Sequence, residues 1–142
     1  MSKKGPILMV DDDADDCELV KEVLRKEKIE NELICFSDSN KAIEYLKNTA
    51  QKPFLILSDV NIPGMSGIEF RKKLHEDEEL RHKSIPFIFF TTSAGPFAIK
   101  QAYEMNVQGF FEKPTSFTEV CNLIRRIYDY WQMCRHPHNG IS

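Results

Sequence analysis

The chain has 142 residues, of which 42% are hydrophobic and 29% are charged, a composition typical of one globular domain with an ordinary core. Its formal net charge of -3 offers no general attraction to nucleic acid or to an anionic membrane, so we expect neither as a direct partner. No apolar run approaches the roughly 18 residues of a membrane-spanning helix, and the first residues lack the apolar centre of a signal peptide. We therefore expect a cytoplasmic protein.

Five short apolar runs predict the strands of a sheet. In chain order they are Ile7 to Val10, Leu33 to Phe36, Phe54 to Leu57, Phe87 to Phe90, and Gly109 to Phe111. Several of these runs are apolar without alternation, which is typical of a strand that helices cover on both faces of a parallel sheet.

Helical patterns lie between the apolar runs. Apolar residues at helical spacing are Cys17, Val20, Val23 and Leu24 in the first stretch and Val120, Ile124, Ile127, Tyr128 and Trp131 in the last. Helix starts are indicated at Ser66 and Ser116, because each serine has a glutamate three residues later, the spacing of a capping box. Strand and helix alternate five times, so we predict an α/β fold with a doubly wound five-stranded parallel sheet of order 2-1-3-4-5.

We expect a single domain over residues 1–142, with a folded core at about 6–132 and a C-terminal tail at 133–142. The four cysteines are widely separated and form no CxxC pair, so we expect reduced, structural thiols; they are Cys17, Cys35, Cys121 and Cys134. Cys134, His136 and His138 include residue types that bind metals, but a frayed terminus is the simpler interpretation of this segment.

Polar side chains follow the predicted strands at their carboxyl ends. Asp11 and Asp12 follow the first strand, Asp59 the third, Thr91 ends the fourth, and Lys113 follows the fifth. In an open parallel sheet, ligands bind outside these ends at the point where the winding reverses, here between the first and third strands. We therefore expect these side chains to face one crevice.

Three carboxylates in that crevice predict a cation site. Asp11, Asp12 and Asp59 are hard oxygen ligands of the kind that Mg²⁺ prefers. The Thr91 hydroxyl and the Lys113 ammonium would hold the oxygens of an incoming phosphoryl group. Asp59 is the predicted nucleophile, because it lies between the acid pair and the other two strand ends and a carboxylate forms an acyl phosphate.

The same residues, with Pro114 and the segment from Asn61 to Gly67, resemble the receiver domain of two-component response regulators. The similarity extends over about residues 6 to 132 and is strongest to stand-alone receivers like the chemotaxis regulators, with the phytochrome-associated type among them. It implies a flavodoxin-like fold. It also implies a signalling domain that is no enzyme beyond catalysing its own phosphorylation and dephosphorylation.

The resemblance implies a role for each site residue. Asp59 would be the phosphoacceptor. Asp12 would bind Mg²⁺ directly and Asp11 mainly through water, with Asp59 and the backbone carbonyl of Asn61 as further ligands. Lys113 would contact the phosphoryl group.

The resemblance further implies a switch pair made of Thr91 and Phe110. On phosphorylation the hydroxyl would move towards the phosphoryl group, and the ring would fill the space that it leaves. A cis peptide bond is expected before Pro114. Asn106 stands where many receivers have glycine, and asparagine is the next best residue for a left-handed backbone.

The expected partners are proteins. The phosphoryl donor would be a sensor histidine kinase or a histidine phosphotransfer protein. No DNA-binding or catalytic segment follows the last predicted helix, so we expect the output to be contact with a downstream protein target. The fourth and fifth predicted helices offer a face that permits a homodimer.

The remaining acids of the first cluster have a structural interpretation. Asp13, Asp15 and Asp16 would cap the first helix and interact with its dipole, and we do not expect them to bind metal. Two alternative functions stay open. One is a pseudo-receiver scaffold that acts without phosphorylation, and the less favoured one is a Mg²⁺-dependent phosphohydrolase, for which a substrate-binding cap domain is missing.

Overall fold

A computed structural model of the chain describes residues 3–92 and 94–135. The strands are β1 (Ile7–Val10), β2 (Leu33–Phe36), β3 (Leu55–Ser58), β4 (Phe87–Thr91) and β5 (Gly109–Glu112). The helices are α1 (Ala14–Lys26), α2 (Ser39–Asn48), α3 (Gly67–Glu76), α4 (Glu78–His82), α5 (Pro96–Glu104) and α6 (Phe117–Met133). The fourth and fifth helices expected from the sequence are therefore α5 and α6.

The five strands form one parallel sheet with the order β2-β1-β3-β4-β5, which confirms the predicted fold class. Val10 at the end of β1 is in register with Ser58 at the end of β3, so the residues that follow these strands lie side by side. Thr91 at the end of β4 is likewise in register with Glu112 at the end of β5. The register thus brings the four polar strand ends to one edge of the sheet.

Hydrophobic cores lie on both faces of the sheet. Leu8 and Val10 of β1 belong to one cluster, and Ile7 and Met9 belong to the other, because successive side chains of a strand point to opposite faces. All four residues are at most 3% exposed. This two-sided burial explains why the strand sequences lack alternation.

Local signals in the sequence set several helix ends. Ser66 and Ser116 each accept a hydrogen bond from the backbone N–H of the glutamate three residues later, as the capping pattern predicts. Asp13 caps α1 by accepting from the N–H of Asp15. Asn106, which precedes β5, has a φ of 59°, so the expected left-handed turn is confirmed.

The short helix α4 was not expected from the sequence. Asp77 ends α3, and its side chain accepts from the N–H of Leu80 to begin α4. A helix of five residues is too short to show a hydrophobic period, so its only sequence signal is this cap.

Within the described ranges no peptide bond is cis, so the prediction of a cis bond before Pro114 is wrong.

Every helix among the described residues is too short or too polar to cross a membrane. His136 and His138 of the tail lie outside the described residues. The single-domain boundaries stay a prediction.

The expectation of four reduced thiols is wrong for two cysteines. Cys17 on α1 and Cys35 on β2 form a disulfide, with their Cα atoms 6.4 Å apart. Cys121 is free and buried, and Cys134 is free and partly exposed. The scattered spacing of the cysteines did not reveal this pair, because only the packing of α1 beside the edge strand brings the two side chains together.

The disulfide closes a loop between residues 18 positions apart and should stabilise the oxidised protein by about 3 kcal/mol through loss of unfolded-chain entropy. We expect reductant to lower the melting temperature by about 10 °C. Differential scanning fluorimetry with and without dithiothreitol measures this effect. Cys17→Ser should melt at the lower temperature under both conditions, whereas Cys121→Ser should keep the response to reductant. Equal melting of the oxidised and reduced wild type would contradict the prediction.

Candidate functional site

The polar strand ends converge at the carboxyl edge of the sheet, but they differ in burial. Asp11 is 5% exposed and Asp59 is 9% exposed, whereas Asp12 is exposed to solvent. Thr91 is fully buried at 0% exposure. Two acids and one hydroxyl therefore form the interior of the site, and Asp12 lies at its mouth.

The ammonium group of Lys113 joins the acids of the site. Its Nζ lies 2.6 Å from Asp11 Oδ2, 2.6 Å from Asp16 Oδ2 and 3.2 Å from Asp59 Oδ2. The Lys113 side chain is only 10% exposed, so these contacts are shielded from water. An ammonium has three N–H donors, and here each of them has a carboxylate acceptor.

Asp59 is held by donors on both of its carboxylate oxygens. Thr91 Oγ1 donates to Asp59 Oδ1 at 2.7 Å, and the backbone N–H of Asn61 donates to the same oxygen at 3.0 Å. Lys113 contacts the other oxygen, Oδ2, at the longer distance of 3.2 Å. The Asp59 carboxylate is therefore fixed in one orientation, with Oδ2 facing Lys113.

A close approach of backbone to backbone supports the loop after Asp59. The N–H of Gly67 donates to the carbonyl of Val60 at 2.8 Å. A Cβ at position 67 would lie 2.1 Å from the carbonyl oxygen of Asp59, so a larger residue would push this loop away. Glycine at this position keeps the Asp59–Val60 segment against the start of α3.

Burial and hydrogen bonding in the site shift the pKa values of Asp11 and Lys113. Burial raises the pKa of Asp11, although the hydrogen bonds from Lys113 and from the N–H of Asp13 act in the opposite direction. For Lys113, burial acts to lower the pKa, but the hydrogen bonds that it donates to Asp11 and Asp16 outweigh burial and raise its pKa well above the ordinary value. Lys113 is therefore a cation at any physiological pH.

Asp11, Asp12 and Asp59 supply the carboxylate oxygens that a divalent cation prefers, but their side chains do not form a three-ligand group in this structure. Among the described residues, no three histidine, cysteine or acidic side chains are arranged to hold a metal ion. The reason is that Lys113 engages both Asp11 and Asp59, while Asp12 is turned to solvent. A cationic group already bridges two of the expected ligands, so the oxygen set attracts positive charge of the kind that Mg²⁺ would supply.

Phe110, the aromatic member of the expected switch pair, is half-buried. Its ring centroid lies 5.5 Å from that of Phe89, and it packs against the core cluster on this face. Thr91, its expected partner, already donates to Asp59. The two residues lie on adjacent strands, and Phe110 is in register with Phe89, two residues before Thr91.

The role of Asp16 was missed by the sequence interpretation, which treated it only as a first-turn acid of α1. It does lie in that turn, yet it also contacts Lys113. Asp16, Val20 and Val23 have the i, i+4, i+7 spacing of one helix face, and both valines are buried. This spacing is the signal that would have placed Asp16 on the side of α1 that faces the sheet. Asp13 and Asp15 are exposed, as expected of a cap and its neighbour.

Comparison with known proteins identifies a family. The sequence model of the family of response regulator receiver domains matches residues 7–125 of this chain. The response regulator Rcp1 of Synechocystis sp. is 30% identical over 130 residues, which cover 88% of this chain and 87% of that protein. These matches confirm the resemblance inferred from the site residues.

Solved structures show the same fold. The phosphorylated cyanobacterial phytochrome response regulator RcpA has a TM-score of 0.81 at 26% identity, over 93% of this chain and 96% of that chain. The Mn²⁺-bound form of the response regulator Rcp1 has a TM-score of 0.80 at 28% identity, over 95% of this chain and 99% of that chain.

Replacing Lys113 by methionine should destabilise the protein at neutral pH by about 3 kcal/mol, because it leaves buried carboxylates without their cation. The pKa of Asp11, already raised by burial, should rise further. A carboxyl with a raised folded-state pKa gives stability that is present at low pH and lost as pH rises through that pKa. The deficit of Lys113→Met should therefore shrink on acidification.

Urea unfolding of wild type and variant at pH 7 and pH 4 measures this deficit, with Lys72→Met on an exposed part of α3 as the control. Lys72→Met should have little effect at either pH. A deficit for Lys113→Met that is equal at both values would show that the ammonium does not compensate buried charge.

Proposed function

The chain belongs to the family of response regulator receiver domains, and we propose that it accepts a phosphoryl group on Asp59 in a Mg²⁺-dependent reaction. The phosphoryl donor in this proposal is a sensor histidine kinase or a histidine phosphotransfer protein. Family membership makes the chain a phosphoacceptor signalling domain. Its self-catalysed phosphorylation and dephosphorylation, its cytoplasmic location and the particular residues below belong to the proposal.

The observation that carries the proposal is the setting of Asp59. Its carboxylate is buried, oriented by Thr91 and the Asn61 N–H through Oδ1, and faced by Lys113 at Oδ2. A nucleophilic carboxylate must be held in one orientation towards phosphorus, and a nearby cation must stabilise the negative charge of the transferred phosphoryl group. Asp11 is likewise buried and held by Lys113 and the Asp13 N–H, but of the three acids only Asp59 accepts a hydrogen bond from a hydroxyl among the described residues. Asp12 is exposed.

In the proposed step, an oxygen of Asp59 forms a bond to phosphorus while the bond from phosphorus to the donor imidazole nitrogen breaks. The electron pair of that bond stays on the nitrogen. The product is an acyl phosphate on Asp59, which water later hydrolyses to restore the carboxylate. Lys113 and the Thr91 hydroxyl contribute donors for the phosphoryl oxygens.

Asp11, Asp12, Asp59 and the backbone carbonyl of Asn61 would hold Mg²⁺ next to the phosphoacceptor. When bound, the ion would neutralise charge on the transferred phosphoryl group. The family relative Rcp1 has been solved in a Mn²⁺-bound form. The exposed position of Asp12 leaves its carboxylate free to turn towards an ion at the mouth of the site.

The output surface in this proposal lies on α5, β5 and α6. Large apolar side chains are exposed on the two helices, with Phe97 at 78%, Tyr103 at 52%, Tyr130 at 61% and Met133 at 84%. A groove of about 440 Å³ between β5 and α6 is lined mainly by apolar and aromatic residues, Phe111 among them, together with Gln108 and Arg126. Such a surface suits a downstream protein target or a second copy of the chain, and a homodimer through this face is part of the proposal.

The first prediction of this proposal concerns the site of labelling. Wild-type protein incubated with Mg²⁺ and acetyl phosphate should gain the mass of one phosphoryl group, removable by hydroxylamine because an acyl phosphate is an activated carboxylate. Intact-protein mass spectrometry measures the gain. Asp59→Asn should gain nothing, and chelation of Mg²⁺ should abolish the gain in wild type.

Asp13→Asn is the matched control, because it makes the same chemical change at an exposed cap. This variant should label nearly as well as wild type. Labelling of Asp59→Asn at the wild-type rate, or a label that resists hydroxylamine, would refute the assigned nucleophile. A chain that gains no label under any condition would favour the scaffold alternative.

A second prediction separates phosphorylation from switching. Thr91→Ala should still be labelled, because the hydroxyl orients Asp59 and does not attack phosphorus. It should lose the structural response, since Phe110 follows the hydroxyl when it transfers from Asp59 Oδ1 to the phosphoryl group. Amide hydrogen exchange around Phe110, with and without label, measures the response. A wild-type change in the variant would contradict this role, and Thr92→Ala, at an exposed neighbour, is the control.

A further inference from the structure

The strongest unassigned feature is the contact between Asp16 and Lys113. Asp16 Oδ2 lies 2.6 Å from Lys113 Nζ, as close as Asp11 and closer than Asp59, which lies at 3.2 Å. The acid belongs to the first turn of α1, and the lysine follows β5, 97 positions later in the chain. This contact links the site to α1.

We propose that Asp16 is a positioning residue that draws the Lys113 ammonium towards α1, leaving it only the longer contact with Asp59, and thereby favours the unphosphorylated state of the site. The inference rests on the proposed phosphorylation of Asp59. It concerns the balance between two states and leaves the identity of the nucleophile unchanged.

The first argument is the number of donors on the ammonium. All three N–H groups of Lys113 are taken by Asp11, Asp16 and Asp59. A phosphoryl group on Asp59 brings new anionic oxygens that need a donor from the same ammonium. Lys113 must therefore give up part of an existing contact when the phosphoryl group is present.

The second argument is burial, which decides which contact is easiest to give up. The side chain of Asp11 is 2% exposed and that of Asp59 is 11% exposed, whereas that of Asp16 is 25% exposed. A carboxylate that water can reach recovers hydration when it loses its partner, but a buried one does not. Asp16 is thus the acid that releases Lys113 at the lowest cost.

The third argument is charge. Asp16 adds a negative charge within hydrogen-bond distance of the ammonium that would contact the phosphoryl group, and like charges repel in a site with little solvent. Both the competition for Lys113 and this repulsion disfavour the phosphorylated form. Removing the charge at position 16 should shift the balance towards that form.

The test compares Asp16→Asn with wild type in Mg²⁺ and subsaturating acetyl phosphate. We expect the ratio of phosphorylated to unphosphorylated protein to rise by roughly three- to tenfold, the range for loss of one charge-assisted hydrogen bond to a partly exposed group. Intact-protein mass spectrometry gives the ratio, and loss of label after removal of the donor gives the lifetime. A ratio equal to or below that of wild type would overturn the proposal and would indicate that Asp16 aims Lys113 at the phosphoryl group instead.

Matched variants separate this role from a general effect of charge or fold. Asp15→Asn removes the same charge one position earlier from an exposed side chain and should leave the ratio unchanged. Asp16→Glu keeps the charge and should restore a low ratio. In a Lys113→Gln background, the change at position 16 should lose its effect, because its partner is absent. An Asp15→Asn effect as large as that of Asp16→Asn would reject the specific contact.

A readout without phosphorylation distinguishes failure of this inference from failure of the proposed function. Asp16 Oδ2 accepts a hydrogen bond from Lys113 Nζ at 2.6 Å and so covers one side of the ammonium group before any phosphoryl group is present. Asp16→Asn removes this charged acceptor and should therefore increase the rate at which Lys113 reacts with an amine-acylating reagent in metal-free protein, measured by peptide mass spectrometry at one fixed pH. Asp15→Asn should leave that rate unchanged. An unchanged rate in Asp16→Asn would overturn the contact itself, whatever the outcome of labelling.

Discussion

The arrangement of this protein depends on one ammonium group placed among three carboxylates. Buried acids at the carboxyl ends of β1 and β3 would repel each other, and Lys113 compensates them from the end of β5. The lysine also reaches Asp16 on α1. The same contacts that make the site chemically capable therefore connect three strands and a helix at one edge of the sheet.

This charge balance explains why the acids, donors and cation of the site act as one unit. Asp59 is oriented by Thr91 and Asn61 on one oxygen and faces Lys113 with the other. In the proposed function, a phosphoryl group on Asp59 would need a donor from Lys113 and would therefore weaken the contact of Lys113 with α1. Thr91 is in register with Glu112, the residue before Lys113, and in the proposed function its hydroxyl would transmit the change to β5.

Much of the fold follows from local patterns. Strands that are covered on both faces of the sheet appear in the sequence as unbroken apolar runs. β1 and β2 have the bounds that these runs predict. The serine caps and the left-handed Asn106 are local backbone effects, so they too are visible in the sequence. The gathering of Asp11, Asp59, Thr91 and Lys113 was also predictable, because parallel strands place their carboxyl ends at one edge.

The sequence by itself therefore determined the five strands, the sheet topology and the strand-end residues Asp11, Asp59, Thr91 and Lys113, but neither the short helix α4 nor the role of Asp16. Only the tertiary structure decided which of these residues touch, because pairs far apart in the chain depend on how a helix crosses the sheet. That packing joins Cys17 to Cys35 and brings Asp16 to Lys113. It also lets Arg71 donate to the backbone carbonyls of Met105 and Asn106. Arg71 belongs to a charged stretch of the kind that usually forms a solvated helix face. No local pattern encodes these distances, since a period of 3.6 residues specifies a helix face but not the side chain that it will meet.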